Sequence, residues 1–177
     1  MPEHLDAGVV QLDRVRPADE QALVAAISES EQHLSAWMDW LTEPYDPAST
    51  ARFVVVAQVA WDAGLEYAFV LRCDGVVVGA AAAERKAADL VEIGYWVRVG
   101  WTGRGIATAA AAALTRAALE LPGVERVQIW HDEANVASGR VPEKLGFRQV
   151  ERRTTPRIPR HGREAGVDIV HEKRRAR

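Results

Sequence analysis

Residues 92–108 constrain the fold of this chain more than any other stretch. They read Glu-Ile-Gly-Tyr-Trp-Val-Arg-Val-Gly-Trp-Thr-Gly-Arg-Gly-Ile-Ala-Thr. A strand runs into a short glycine-containing turn, and an alanine-rich helix follows. Alternation along the strand puts Glu92, Gly94, Trp96 and Arg98 on one face and Ile93, Tyr95 and Val97 on the other. Gly103 and Gly105 remove side chains where the helix begins, so backbone N–H groups there can approach an anion closely. The helix dipole adds roughly half a positive charge at that end, and Arg104 adds a full one. Such a turn suits a pyrophosphate. It is not a P-loop, because no Gly-Lys-Ser/Thr follows at the required spacing. Nor is it the dinucleotide fingerprint, whose third glycine position is held here by Thr108.

The elements around this segment point to a mixed sheet. Val9 to Arg16 reads as a first strand. Pro17-Ala18-Asp19-Glu20 opens a helix whose apolar side is Leu23, Val24 and Ile27. Ser35 to Leu41 is expected to form a second helix, with Ser35 as its cap and Trp37, Met38 and Leu41 inward. Ala48 to Ala63 is expected to be helical, with Phe53, Val56, Ala57 and Ala60 on its buried side. Tyr67 to Arg72, Val76 to Ala83 and Leu90 to Val99 form a meander, its first turn at Asp74-Gly75. A helix over Gly103 to Leu121 would span about 28 Å, and Pro122-Gly123 stops it. Arg126 to His131 is a strand and Val136 to Leu145 a short helix. Phe147 to Arg153 and Gly166 to Lys173 close the chain as a strand pair. This order packs as one α/β (α+β) domain over residues 1–177, with helices on both faces of the sheet.

Composition removes whole classes of function. The chain has 177 residues, 48% hydrophobic and 27% charged, enough apolar material for a core. Its lone cysteine, Cys73, excludes a disulfide scaffold and a cysteine-rich zinc module. No Cys/His/Asp spacing supports a metal site. No apolar run approaches the roughly 20 residues of a membrane span, and the acidic start is no secretory signal, so the expected address is the cytoplasm. The net charge of −3 hides an asymmetry. Residues 1–66 carry 3 basic and 12 acidic side chains, the middle balances, and residues 148–177 carry 10 basic and 4 acidic.

A second motif lies about 30 residues beyond the glycine turn: Asn135, Ser138, Glu143, Lys144, Gly146 and Phe147. Together with Thr102-Gly103-Arg104-Gly105-Ile106-Ala107, it resembles the GCN5-related N-acetyltransferase (GNAT) superfamily. Leu12 to Asp19 and Trp37-Met38-Asp39-Trp40 look like its RimJ/RimL-like branch, which acetylates protein N-termini. The resemblance covers about residues 9 to 173. It implies a largely antiparallel sheet of six to seven strands with a splayed central strand pair. It implies acetyl-CoA as co-substrate, with pantetheine on the backbone of Val97 and Val99. The pyrophosphate would lie on amides around Gly103, Arg104, Gly105, Ile106, Ala107 and Thr108, and Asn135 would hold the pantetheine arm. Direct attack on the thioester needs a neutral amine. Glu92 is the candidate base, acting through water, and the Val97 N–H a candidate oxyanion contact. Ser138 is the candidate acid, because Pro142 stands where many members carry a tyrosine acid. Pro142 also predicts an irregular or late-starting helix, and Thr102 stands in place of the usual Gln or Arg.

Each candidate has a plainer reading. Glu92 could simply pair with Arg98 or Lys86, Asn135 could only cap a helix, and His131 could be a polar strand end. The acceptor is an amine, either a protein N-terminus (ribosomal or other) or a small molecule, and the acidic first 66 residues favour a cationic one. Two rivals stay open. One is a CoA-binding regulatory module without turnover. The other is RNA or ribosome contact through Arg152, Arg153, Arg157, Arg160 and Arg163, against which a solvated hairpin is the preferred reading. No membrane partner is implied, and the chain is a monomer or a homodimer.

Overall fold

The computed structural model describes residues 1–41, 44–154 and 164–176. Eight strands form one sheet: β1 (His4–Asp6), β2 (Gln11–Arg14), β3 (Glu66–Cys73), β4 (Val76–Ala87), β5 (Leu90–Val97), β6 (Arg126–Asp132), β7 (Arg148–Thr154) and β8 (Val167–Arg174). Their spatial order is β1-β2-β3-β4-β5-β6-β8-β7. Every pairing is antiparallel except β5 with β6. The strand beyond the expected six or seven is β1, a three-residue edge with no apolar alternation to reveal it.

Local chemistry accounts for the connections. Asp74 and Gly75 sit at φ +50° and +79°, the two left-handed positions that a tight β3–β4 hairpin requires. Helix α1 (Glu20–Ser28) follows a 3-10 turn at Pro17–Asp19. There the buried Asp19 carboxylate accepts the Arg16 N–H at 2.8 Å and pairs with Arg72. Helix α3 (Pro47–Asp62) starts with proline in its first turn, and Asp46 accepts the Ala48 N–H at 3.0 Å. Helix α4 (Ile106–Leu119) begins after the two glycines rather than at Gly103, because both hold φ values near +77° that no right-handed helix contains.

The core lies on both faces. On one, Phe69, Leu71, Ala81, Val91 and Ile93 pack against Ala110, Leu114 and Ala118 of α4. The alanines favour the helix and let it lie close to the sheet. On the other, Val70, Val77 and Ala80 pack against Leu23 of α1 and Val54 and Ala57 of α3.

Two helix expectations are corrected. Residues 35–41 form turns; the helix, α2, is Glu31–Leu34. The Leu41 N–H donates to the Met38 carbonyl, three residues back instead of four, and Leu41 turns inward onto Ile27 and Leu34 while Trp40 stays half exposed. In α3 the inward residues are Thr50, Val54, Ala57 and Trp61, whereas Val56 is 60% exposed. Trp61 sets that rotation, meeting Phe69 and Tyr67 edge-on at 5.0 and 5.2 Å between ring centroids. On a helix this rich in apolar residues, periodicity alone offers more than one face.

Candidate active site

The site begins where the sheet opens. Strands β5 and β6 pair only from Leu90–Arg126 to Glu92–Gln128, after which their registered pairing ends. On its other edge β5 stays bonded to β4, and the Arg98 N–H donates to the Val78 carbonyl. In an antiparallel ladder alternate residues bond to alternate sides. The N–H and C=O of Ile93, Tyr95 and Val97 therefore point toward β6, into the opening. This is the splayed pair that the resemblance implies.

A cavity of about 520 Å³ passes along this opening. Glu92, Gly94 and Trp96 line it from one face of β5, Ile93 and Tyr95 from the other, Ser138 from α5 (Val136–Lys144) and Asn135 from that helix's cap. Its roof is Trp37, Trp40 and Phe53, and His131 and Asp132 stand at the end of β6. Glu92 and Ser138, far apart in sequence, thus share one chamber. Of the two cations open to Glu92, Arg98 pairs instead with Glu29, just beyond the end of α1. Lys86 Nζ stands 3.7 Å from Glu92 and 2.6 Å from Glu84.

Ser138 is held by a device that sequence reading missed. Asn135 caps α5 by accepting the Ser138 N–H at 3.1 Å. Pro142 lies inside the helix, which runs through it unbroken rather than starting late. Proline has no N–H, so the Ser138 carbonyl loses its usual partner four residues on. The Tyr95 hydroxyl fills that place, donating to the Ser138 carbonyl at 3.2 Å and standing 3.3 Å from Ser138 Oγ. Burial pushes the Tyr95 phenol up to about 12, so it stays protonated and able to donate. A phenol from β5 therefore reaches the first turn of α5, where Pro142 has removed the helix's own donor. The available signal was Pro142 itself: an orphan carbonyl four residues upstream needs a donor.

Helix α5 is also fitted closely to β6. A Cβ on Gly139 would come within 2.7 Å of the His131 ring. His131 stands near the end of β6. It is buried, donates from Nδ1 to the Asp132 carbonyl at 2.8 Å, and stacks on His171. Asp132 takes N–H groups from Ala134, Ala165 and Gly166 at 2.8–2.9 Å, tying the turn after β6 to the start of β8.

The glycine turn forms a separate end. Gly105 at φ +79° precedes α4, and no side chain caps the helix. The N–H groups of its first turn have no acceptor within the helix. Arg104 lies over Trp101, its guanidinium carbon 4.6 Å from the ring centroid, and donates to the Gly100 carbonyl at 3.1 Å. Val99 is not on the strand. It opens a 3-10 turn, its N–H goes to Ser30 Oγ at 3.0 Å, and its carbonyl accepts from Thr102 Oγ1 at 3.0 Å. Of the two valines expected to offer free backbone groups, only Val97 does so. Gly103 to Thr108 and the two valines lie outside the cavity that holds Glu92 and Ser138.

Two arginines of the basic C-terminal segment are paired locally. Arg152 grips Glu133 through two bonds of 2.8 and 2.9 Å, and Arg153 lies 3.4 Å from Asp168. Arg157, Arg160 and Arg163 fall outside the described residues. Among the described residues no group of three or more His, Cys, Asp or Glu gathers as a metal site would need.

Comparison with known proteins agrees with this architecture. The acetyltransferase (GNAT) domain family matches residues 10–148. YdaF of Bacillus subtilis (strain 168), whose name gives it a ribosomal N-acetyltransferase role, is 32% identical over 143 residues, 75% of this chain and 74% of that protein. Among solved structures, the RimL ribosomal L7/L12 α-N-protein acetyltransferase in complex with coenzyme A superposes with a TM-score of 0.88. It is 16% identical, and 97% of this chain and 98% of that one are covered. Mycobacterium smegmatis RimJ, solved with a CoA disulfide, gives 0.82 at 24% identity over 98% and 86%. At those identities the structures speak for the fold. The open strand pair, the uncapped helix start and the family match lead to one assignment: the chain belongs to the GNAT family of acetyltransferases, enzymes that use acetyl-CoA as acetyl donor.

Proposed function

We propose that this enzyme acetylates the α-amino group of a protein N-terminus in the cytoplasm, the whole chain serving as one catalytic domain. The observation that carries the reading is the chamber through the sheet opening, which Glu92 enters from one side and Ser138 from the other. Acetyl-CoA supplies the activated acetyl group. The uncapped turn at Gly103, Arg104, Gly105, Ile106, Ala107 and Thr108 fits its pyrophosphate, because those backbone amides lack acceptors and the glycines leave room. Val97 offers backbone groups to the pantetheine arm, and Asn135 its amide nitrogen.

Glu92 accepts the proton that the acceptor ammonium must lose before its lone pair can attack, directly or through one water. As the nitrogen–carbon bond forms, the Val97 N–H faces the carbonyl oxygen on which charge develops. The carbon–sulfur bond breaks, and Ser138 gives its hydroxyl proton to the departing sulfur while regaining the second proton of the acetylated nitrogen, so the amide, the free thiol and the serine hydroxyl all end neutral. Tyr95 holds the Ser138 backbone in place and stands beside its hydroxyl. YdaF and RimL are named for ribosomal substrates, which supports a protein N-terminus over a free small amine.

A thiol-release assay with acetyl-CoA tests this directly. Peptides with free N-termini, a matched set blocked at the N-terminus, and small amines are compared. Release with free-N-terminus peptides and none with blocked ones is expected. Binding of acetyl-CoA without acetylation of any amine would replace the reading by that of a regulatory CoA-binding module.

A further inference from the structure

Three carboxylates stand in one row across the sheet. Glu66 of β3 is directly opposite Glu84 of β4, and Glu84 is directly opposite Glu92 of β5. Directly opposed residues project to the same face, and like charges so placed repel. One cation, Lys86, answers the row. Its Nζ is 2.6 Å from Glu84 and 3.7 Å from Glu92. Glu66 has no hydrogen bond and no ion pair among the described residues. Its carboxyl is pushed up by burial and by Glu84, with Lys86 offsetting only part. The fold makes no use of this carboxylate. It nevertheless lines the same cavity as Glu92.

The rest of the cavity wall is built for a cation as well. Trp40 and Trp96 face each other at 6.4 Å, tilted by 50°, and Phe53 stands beside them. Indole and phenyl faces attract ammonium and guanidinium groups. Asp132 is no competitor, because its oxygens are engaged by three backbone N–H groups.

We propose that Glu66 determines acceptor specificity by binding a second cationic group, an ammonium or guanidinium carried on the same molecule as the reacting amine. Two strand spacings separate Glu66 from Glu92, about 10 Å between their backbones. A lysine or arginine side chain at the second or third position of a peptide reaches that far from its own α-nitrogen. So does a linear polyamine. The inference rests on the transferase reading above and goes beyond it by naming the acceptor's charge pattern.

The test measures kcat/KM for the full chain with two peptides that differ only at the second residue, lysine against norleucine. The expected wild-type ratio is about tenfold or more in favour of lysine. In Glu66→Gln the ratio is expected to fall toward one, and in Glu66→Lys a peptide with glutamate second should overtake the lysine peptide. A wild-type peptide ratio of one or below, with no Glu66-dependent preference for spermidine over butylamine either, overturns the proposal. So does a ratio that survives both substitutions. Spermidine against butylamine forms a second arm: a Glu66-dependent preference confined to that pair keeps the cation site and assigns it to free polyamines. The same peptide pair is also read as Kd by calorimetry. An enzyme that turns over no acceptor defeats the transferase reading, and the Kd ratio then decides Glu66 on its own.

Discussion

The two ends of the active site are made of different material. The glycine turn and the start of α4 are backbone: left-handed glycines, uncapped amides and a helix dipole. The acceptor chamber is side chain: Glu92, Ser138, Tyr95, the tryptophans of the roof and the paired histidines behind α5. A backbone site is specified by a few adjacent residues and tolerates changes that leave its φ values alone. A side-chain site gathers residues from β3, β5, β6, α3 and α5, and one atom in the wrong place is felt at once. Substitutions at the two ends should therefore split the kinetic constants between the two substrates.

The largest effect is expected at the chamber. Glu92→Gln removes the proton acceptor with little change in volume, and kcat/KM should drop by about 10²–10⁴-fold. The loss should shrink at high pH, where more acceptor amine arrives already neutral. An unchanged rate would leave Glu92 as no more than the partner of Lys86. Gly105→Ala attacks the other end. A non-glycine residue at φ +79° costs about 1–2 kcal/mol, so the turn should relax and KM for acetyl-CoA rise about tenfold, with KM for the acceptor little changed. A rise in both constants together would mean that the two ends are mechanically one.

Tyr95→Phe sharpens the division within the chamber. It deletes one hydroxyl and leaves the Ser138 carbonyl with neither a helical donor nor a phenol. A buried acceptor left unpaired costs about 1–3 kcal/mol. We expect kcat to fall roughly 5–10-fold as Ser138 loses its anchor, while KM for acetyl-CoA stays put. Replacing Pro142 by alanine in the same background returns an N–H to the Ser138 carbonyl and should restore part of the rate. A double variant no better than Tyr95→Phe alone would show that the hydroxyl matters to Ser138 Oγ rather than to its backbone.

The same division explains what could be read from the chain. Gly103, Gly105 and the Asn135 cap act within a few residues of themselves, so strand, turn and helix were legible around them. Three features depend on contacts far along the chain. The rotation of α3 is set by Trp61 against Phe69. The Tyr95–Ser138 bond needs β5 and α5 to meet across the sheet opening. The isolation of Glu66 appears only when β3, β4 and β5 are in register. Val99 was misassigned for a related reason. Its alternation continues the strand, but Ser30, 69 residues away, takes its N–H.

The smallest expected effect lies behind α5, where the His131–His171 pair braces the chamber. His131 Nδ1 faces the Asp132 carbonyl at 2.8 Å, so it carries the proton and leaves Nε2 as acceptor. His171 then donates from its own Nε2 at 3.3 Å, and its Nδ1 lone pair is buried with no partner among the described residues. Burial lowers the His171 pKa below 6.5, His131 lowers it further, and Glu143 only partly opposes them. Below 6.5 the unfolded chain takes up a proton at this residue that the folded one refuses. Its contribution to stability is thus present above about pH 6.5 and lost as pH falls below that value. The slope is bounded by one proton, about 1.4 kcal/mol per pH unit. Thermal unfolding between pH 7.5 and 5.5 should show Tm falling across this window, and His171→Gln should flatten the fall while lowering Tm at pH 7.5. Because Gly139 packs on the His131 ring, kcat should decline over the same range with KM for acetyl-CoA unmoved. A variant with the wild-type slope would place the acid sensitivity elsewhere and leave the histidine pair as packing alone.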